Sequence, residues 1–311
     1  MATGYDPSTT MKDDIRIGII GLDTSHVEVF AKLLNDPDNP NHVPGGRLVI
    51  GYPGGSADFV KSASRVDGYT KLLATKFEVE MVDSPEAVAE ASDAILLTSV
   101  DGRVHLDQFS RIARFRKPTF IDKPFAVTSR DAEGLAALAL EQGTPIMSAS
   151  GLRFAEALTA LLAECPDGIF GADFTGPMEI EPTQGVFFWY GVHLVEALYQ
   201  TLGSGCHEVQ VTTSDAHDMA VGLWEDGRIG TVRGFRNDQY YFRGVIHTGS
   251  GDVFLDLDAG EKPKHVHLLT KIMEFFQSGI PPIKPSETVE AIRFLEAADE
   301  SRKTGRKVTL K

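Results

Sequence analysis

Cysteine is scarce in this chain of 311 residues, with only Cys165 and Cys206. Two thiols cannot build a disulfide framework, which predicts a reducing compartment, the cytoplasm. The amino terminus shows no pattern of a secretory leader, in keeping with that expectation. Positive charge is in deficit, with 30 Lys and Arg against 44 Asp and Glu and a formal net charge of −14. Nucleic acid and anionic membranes demand basic surfaces, so neither is expected as a partner. A small anionic ligand stays open, because local charge decides that. No apolar run approaches the roughly 20 residues needed to cross a bilayer. Glycine is missing where it would be most informative. Gly21 stands at the end of an apolar run, but Asp23 and His26 occupy the second and third glycine positions of a dinucleotide fingerprint.

The length allows two domains, each with its own core. Residues 1–14 are polar and without apolar period, and are expected to form a loose tail. The first half then alternates β-branched runs with amphipathic stretches. Strands are predicted at 15–20, 47–52, 77–82, 94–98, 118–121 and 145–148, with helices near 24–35, 84–91, 104–115 and 129–141. That alternation implies parallel strands joined by right-handed crossovers, a Rossmann-like, doubly wound α/β sheet. The second half reads as α+β. After a helix-like stretch near 153–164, the segment 168–182 and an apolar stretch at 189–202, short strands are predicted at 207–213, 218–224, 229–235, 240–247 and 252–257. Hairpin signals at Trp224–Arg228 and Gly249–Asp252 make the sheet mainly antiparallel. Helices at 264–278 and 286–303 close the chain. The division expected is a domain over 15–125 and a second over 126–311, with the last helix returning to the first.

Five stretches in this order carry a resemblance: GIIG at 18–21, SVDGRVH at 99–105, DKP at 122–124, GLRF at 151–154 and GVHLVEAL at 191–198. The chain resembles the Gfo/Idh/MocA family of glucose–fructose oxidoreductase and inositol dehydrogenase. The resemblance implies an NAD- or NADP-dependent oxidation or reduction of a sugar, polyol or related alcohol, and a homodimer or homotetramer. It places Lys123 and His193 beside the nicotinamide and the substrate hydroxyl as catalytic residues. The cofactor-binding set it suggests is Gly21, Asp23, Thr24, Ser25, His26, Ser99, His105, Asp122 and Lys123. The substrate set is Lys123, Arg153, Trp189, Tyr190 and His193.

The residues themselves argue partly for and partly against this. Gly21 permits a tight turn, and Asp23, Thr24 or Ser25 is a good N-cap for the helix that follows. That helix start either points free N–H groups at a phosphate or satisfies them itself. Asp23 puts a carboxylate where a pyrophosphate would approach. No acid for the ribose and no arginine for a 2′-phosphate follows the second strand, so NAD and NADP are not distinguished. Gly54, Gly55 and Ser56 form either a small anion nest or a plain turn. Lys123 follows a strand end, where open α/β sheets bind ligands. His193 is a natural general base, and Glu196, three residues on, is positioned to orient it. Trp189 occupies the place of the family's relay aspartate and cannot move a proton. Arg153 either binds a carboxylate or phosphate or makes a salt bridge between domains. His26, Asp101, His105 and His193 match no local ligand motif, so no metal is expected. Two functions follow: an NAD(P)-dependent oxidoreductase, or a non-redox relative that binds a sugar or acts as a lyase or isomerase.

Overall fold

The computed structural model describes residues 14–165 and 168–310. Apart from Asp14, the tail expected over 1–14 lies outside the described residues. Strands β1 (Ile15–Ile20), β2 (Gly46–Tyr52), β3 (Glu80–Met81), β4 (Ala94–Leu97), β5 (Thr119–Ile121) and β6 (Ile146–Met147) form a six-stranded sheet in the order β3-β2-β1-β4-β5-β6. Every pairing in it is parallel. The order reverses between β1 and β4, which opens a crevice at their carboxyl ends. Helices α1 (Ser25–Asn35), α2 (Val60–Ala63), α3 (Val66–Lys76), α4 (Pro85–Ala91), α5 (His105–Ile112) and α6 (Ser129–Gln142) make the connections. Local chemistry sets their ends. Ser84 accepts from the Ala87 N–H and Pro85 opens α4. Thr128 accepts from the Asp131 N–H, and Gly143, at φ 67°, stops α6.

Beyond α7 (Glu156–Glu164), β7 (Ile169–Pro177) leads to a π-helical turn (Phe187–Gly191) and α8 (Val192–Leu202). Strands β8 (Cys206–Thr213), β9 (His217–Trp224), β10 (Ile229–Phe235), β11 (Arg243–Thr248) and β12 (Gly251–Asp256) follow, then α9 (Lys264–Ser278), α10 (Pro285–Thr304) and β13 (Val308–Thr309). The second sheet runs β12-β11-β7-β10-β9-β8-β13. Its strands alternate in burial, as HDMAVGLW of β9 shows, because only one face is covered. That face packs on α8 and α10 around Trp224, Tyr199 and Phe294.

Two expectations need correction, and one contact was not anticipated. The parallel sheet takes in β6, so a boundary at residue 125 falls short of its last strand. α9 also enters the first core, in addition to the contact the last helix makes with α6. Val266, Leu269, Ile272 and Phe276 share a cluster with Val27 and Phe30 of α1. The last helix, α10, packs on α6, α8 and β8. Finally, β7 was not among the predicted strands, and it pairs parallel to β10 inside a sheet whose other pairings are antiparallel.

Arg153 links these parts. It lies in a 3₁₀ turn (Gly151–Phe154) between the sheets and is 2% exposed. Its guanidinium donates to Glu196 of α8 at 2.9 Å and pairs with Glu287 of α10. The substrate role implied for Arg153 is therefore replaced by a buried ion pair. Glu196 is spent on it and does not orient His193. Removing one partner of a buried pair strands the other's charge, so Arg153→Ala should cost about 3–5 kcal/mol in urea unfolding, and Arg153→Met with Glu196→Leu much less.

Candidate active site

The loop after β1 is tightly constrained. Gly21 has φ 86°, and a Cβ there would lie 2.2 Å from Ser99 Oγ and 2.3 Å from its backbone nitrogen, so only glycine fits. The next two residues turn inward. Leu22 N–H donates to Pro53 O at 2.7 Å. Asp23 is fully buried; it accepts from the Val100 N–H at 2.8 Å and from Ser62 Oγ at 2.5 Å. Burial pushes the Asp23 carboxyl's pKa up against the pull of these bonds. Thr24 is the N-cap of α1 by position, but neither it nor Asp23 caps the helix through a side chain. The Gly54-Gly55-Ser56 turn is also used internally, since Ser56 N–H donates to Ser62 Oγ at 2.8 Å.

These bonds fold the β2–α2 connection over the glycine loop and bring Phe59 against the second domain. Phe59, Val100 and Trp189 form a small core cluster with Tyr190 packed on it. Trp189 meets Phe59 edge-on at 5.5 Å, and Lys61 Nζ lies 4.5 Å above the indole ring. Beneath this roof is a cleft of about 540 Å³ between the domains.

Lys123 and His193 line that cleft together. Lys123 comes from the end of β5, before a cis peptide to Pro124. His193 comes from the first turn of α8. Ser150 Oγ lies 2.6 Å from His193 Nδ1 and fixes the ring, leaving Nε2 without a protein partner among the described residues. Burial holds His193 well below the usual histidine range, and the charges of Lys123 and Lys264 add to this. The ring is thus neutral at neutral pH and able to accept a proton. Burial also lowers the Lys123 pKa; Asp122 opposes this and Arg65 reinforces it. His26 and Asp122 form a further pair, with Nδ1 2.7 Å from Oδ2. Burial raises the Asp122 carboxyl, but His26 and Lys123 outweigh it and hold the group low.

Of the residues singled out from the sequence, Thr24, Ser25, His26, Lys123, Trp189, Tyr190 and His193 line the cleft. Ser99 and His105 do not. Ser99 bonds Gln108, and the His105 ring nitrogens lie 3.1 and 2.8 Å from the Phe125 and Ser99 carbonyls, so both are structural. Asp101 binds Arg103 and Gln184. The cleft also holds residues the sequence did not point to: Lys61, Arg65, Ser150, Tyr240, Lys264 and His265. Ser150 immediately precedes GLRF and was within reach of motif reading. The others come from segments with no motif. Among the described residues no group of three or more His, Cys, Asp or Glu is placed to hold a metal ion. No described helix is long and apolar enough to span a membrane.

The parallel sheet, its switch-point crevice and the cleft above it define a Rossmann-type architecture. Residues 15–150 match the model of the Gfo/Idh/MocA family, an oxidoreductase family with an NAD-binding Rossmann fold. No curated protein matches its sequence. Solved structures show the same fold across both domains. A myo-inositol 2-dehydrogenase from Lactobacillus plantarum is 14% identical with a TM-score of 0.79, covering 96% of this chain and 100% of that one. A myo-inositol dehydrogenase from Lactobacillus casei, solved with NAD(H) and myo-inositol, is 13% identical at TM-score 0.74, covering 96% and 97%. An oxidoreductase from Agrobacterium radiobacter, solved with NAD+, L-tartaric acid and magnesium, is 14% identical at 0.72, covering 96% and 98%.

The matched family model describes an NAD-binding fold, and the two ends of the path that NAD would take differ here. At the nicotinamide end, the cleft offers open volume beside Lys123 and His193. At the pyrophosphate end, the residues do not fit in this conformation. The Leu22 N–H is taken by Pro53, the Asp23 carboxylate replaces the glycine of close approach, and a Cβ on Gly54 would be 3.4 Å from Gly21 Cα.

The cleft histidines give the fold a pH signature. Burial, followed by His26 and Lys264, lowers His265 to about 4, whereas an unfolded histidine titrates near pH 6.5. Between those values the unfolded chain binds more protons, so stability falls as pH drops from about 6.5 towards 4. His265→Gln should flatten that slope by on the order of 1–3 kcal/mol, read by urea unfolding across the window.

Proposed function

We propose that this chain is an NAD(P)-dependent oxidoreductase acting on a sugar, polyol or related hydroxy or keto compound in the interdomain cleft. The observation that carries this reading is the convergence of Lys123 and the Ser150-held His193 on one cleft at the carboxyl ends of the family's Rossmann sheet. The Lys123 ammonium hydrogen-bonds the reacting oxygen and polarises it. His193, kept neutral by its surroundings, takes the hydroxyl proton at Nε2 in the oxidative direction and returns it in the reductive one. A nicotinamide, where bound beside Lys123 and His193, would supply the hydride chemistry. Trp189 and Tyr190 form the wall against which the carbon skeleton lies. The L. casei relative's complex with myo-inositol supports the polyol class. Ile229 and Phe254 are exposed on the sheet face that α8 and α10 leave uncovered, which supports a homodimer or homotetramer; the presence of only two cysteines supports a cytoplasmic setting.

A second reading is favoured by one observation, the Asp23 bonds that close the pyrophosphate end. On it the chain is a non-redox family member, a sugar-binding protein or a lyase or isomerase using the same lysine and histidine. Titration with NADH and NADPH, followed by nicotinamide fluorescence, separates the two. Saturable binding supports the oxidoreductase; none at millimolar cofactor sinks it. Asp23→Gly should raise dinucleotide affinity by removing the carboxylate. With a turnover assay in hand, Lys123→Met and His193→Asn should each lower kcat/KM by about 10²–10⁴-fold.

A further inference from the structure

The walls of the cleft carry charge opposite to that of the chain as a whole. The protein has a formal net charge of −14. Yet the residues lining the cleft include four cations, Lys61, Arg65, Lys123 and Lys264, against one carboxylate, Glu179. Two of the cations are compensated. Lys61 pairs with Glu179 at 3.3 Å and Glu181 at 3.6 Å, and Lys264 pairs with Asp258 at 2.6 Å. Arg65 and Lys123 have no carboxylate within ion-pair distance among the described residues. Asp122, next to Lys123, directs its carboxylate to His26 and to a backbone N–H instead. Two like charges facing one partly desolvated cleft repel, and burial adds to the cost. A neutral polyol offers hydroxyls to such a site but no balancing charge.

We propose that the substrate of this cleft is an anionic polyhydroxy compound, bearing a carboxylate or phosphate that Arg65 and Lys123 hold together. The inference rests on the preceding reading in one respect, that this cleft is the substrate site. Arg65, exposed at the amino-terminal edge of α3, supplies a planar fork suited to two anionic oxygens. Lys123, deeper in the cleft, supplies a point charge beside the reacting oxygen. Burial is the main cause of the depressed titration of Lys123 and His193; neighbouring cations add to it, Arg65 for the lysine and Lys123 and Lys264 for the histidine, and a bound anion would relieve that part.

Calorimetric titration at constant ionic strength, without cofactor, tests this. D-gluconate and D-glucose 6-phosphate are the charged probes, sorbitol the neutral one, and ADP-ribose stands for the cofactor's own phosphates. At least one of the two charged sugars should bind about tenfold or more tightly than sorbitol. Arg65→Gln should weaken that binding by about tenfold and leave sorbitol unchanged, and Arg65→Lys should restore part of it. Because Arg65 is exposed and unpaired, its variants should keep the wild-type unfolding curve. The proposal is overturned if sorbitol binds as tightly as the acids or if neither charged sugar binds. It equally fails if Arg65→Gln leaves binding unchanged, or if only ADP-ribose binds through Arg65. NADH titration of the same preparations keeps the readings apart: a charged sugar bound without NADH sinks the redox reading alone, and the converse sinks only the anion site.

Discussion

One buried carboxylate shapes the functional half of this molecule. Asp23 ties the loop after β1 to the Val100 N–H beyond β4 and to Ser62 in α2. An unpaired carboxylate at that depth would be costly, so its two donors are effectively obligatory. Meeting them pulls α2 over the glycine loop, and α2 carries Phe59 to Trp189 and Lys61 to the indole face. The cleft's roof, its position against the second domain and the closure of the pyrophosphate end all descend from that choice of aspartate over glycine.

Much of the architecture was legible beforehand because it depends on local pattern. The apolar IRIGII run, the caps Ser84 and Thr128, and the alternation in β9 are each readable from a few neighbouring residues. What escaped depends on distant partners. β7 alternates in burial over Ala172–Gly176, but the glycines at 171 and 176 and the acid at 173 weaken its strand signal, and its parallel pairing with β10 is fixed by tertiary contact. The same limit applies to the site. Lys123, His193 and Trp189 lie in recognisable motifs, whereas Arg65, Lys61 and His265 reach the cleft only through the path of the chain. Arg153 and Glu196 looked functional because buried charge and catalytic charge share residue types; only their mutual distance showed them to be structural.

The electrostatics of the cleft are coherent across its parts. Burial lowers Lys123, His193 and His265 alike, and the charges of Lys123 and Lys264 add to the lowering of both histidines. Asp122 is the exception, kept charged by His26 and the neighbouring lysine. On the proposed reading, His193 is the proton acceptor and Lys123 the polarising group, the division of labour that acid–base chemistry on a hydroxyl requires.

The placement of α9 bears on how the polypeptide reaches its native state. Its apolar side chains belong to the same core as β1 and α1, though some 240 positions separate them along the backbone. That flank of the amino-terminal sheet is therefore covered only once α9, near the far end of the chain, is in place. Severing the molecule after residue 150 would leave that flank permanently open to water, so the nucleotide-fold half is not an autonomous unit but one completed by its own distant carboxyl-terminal region.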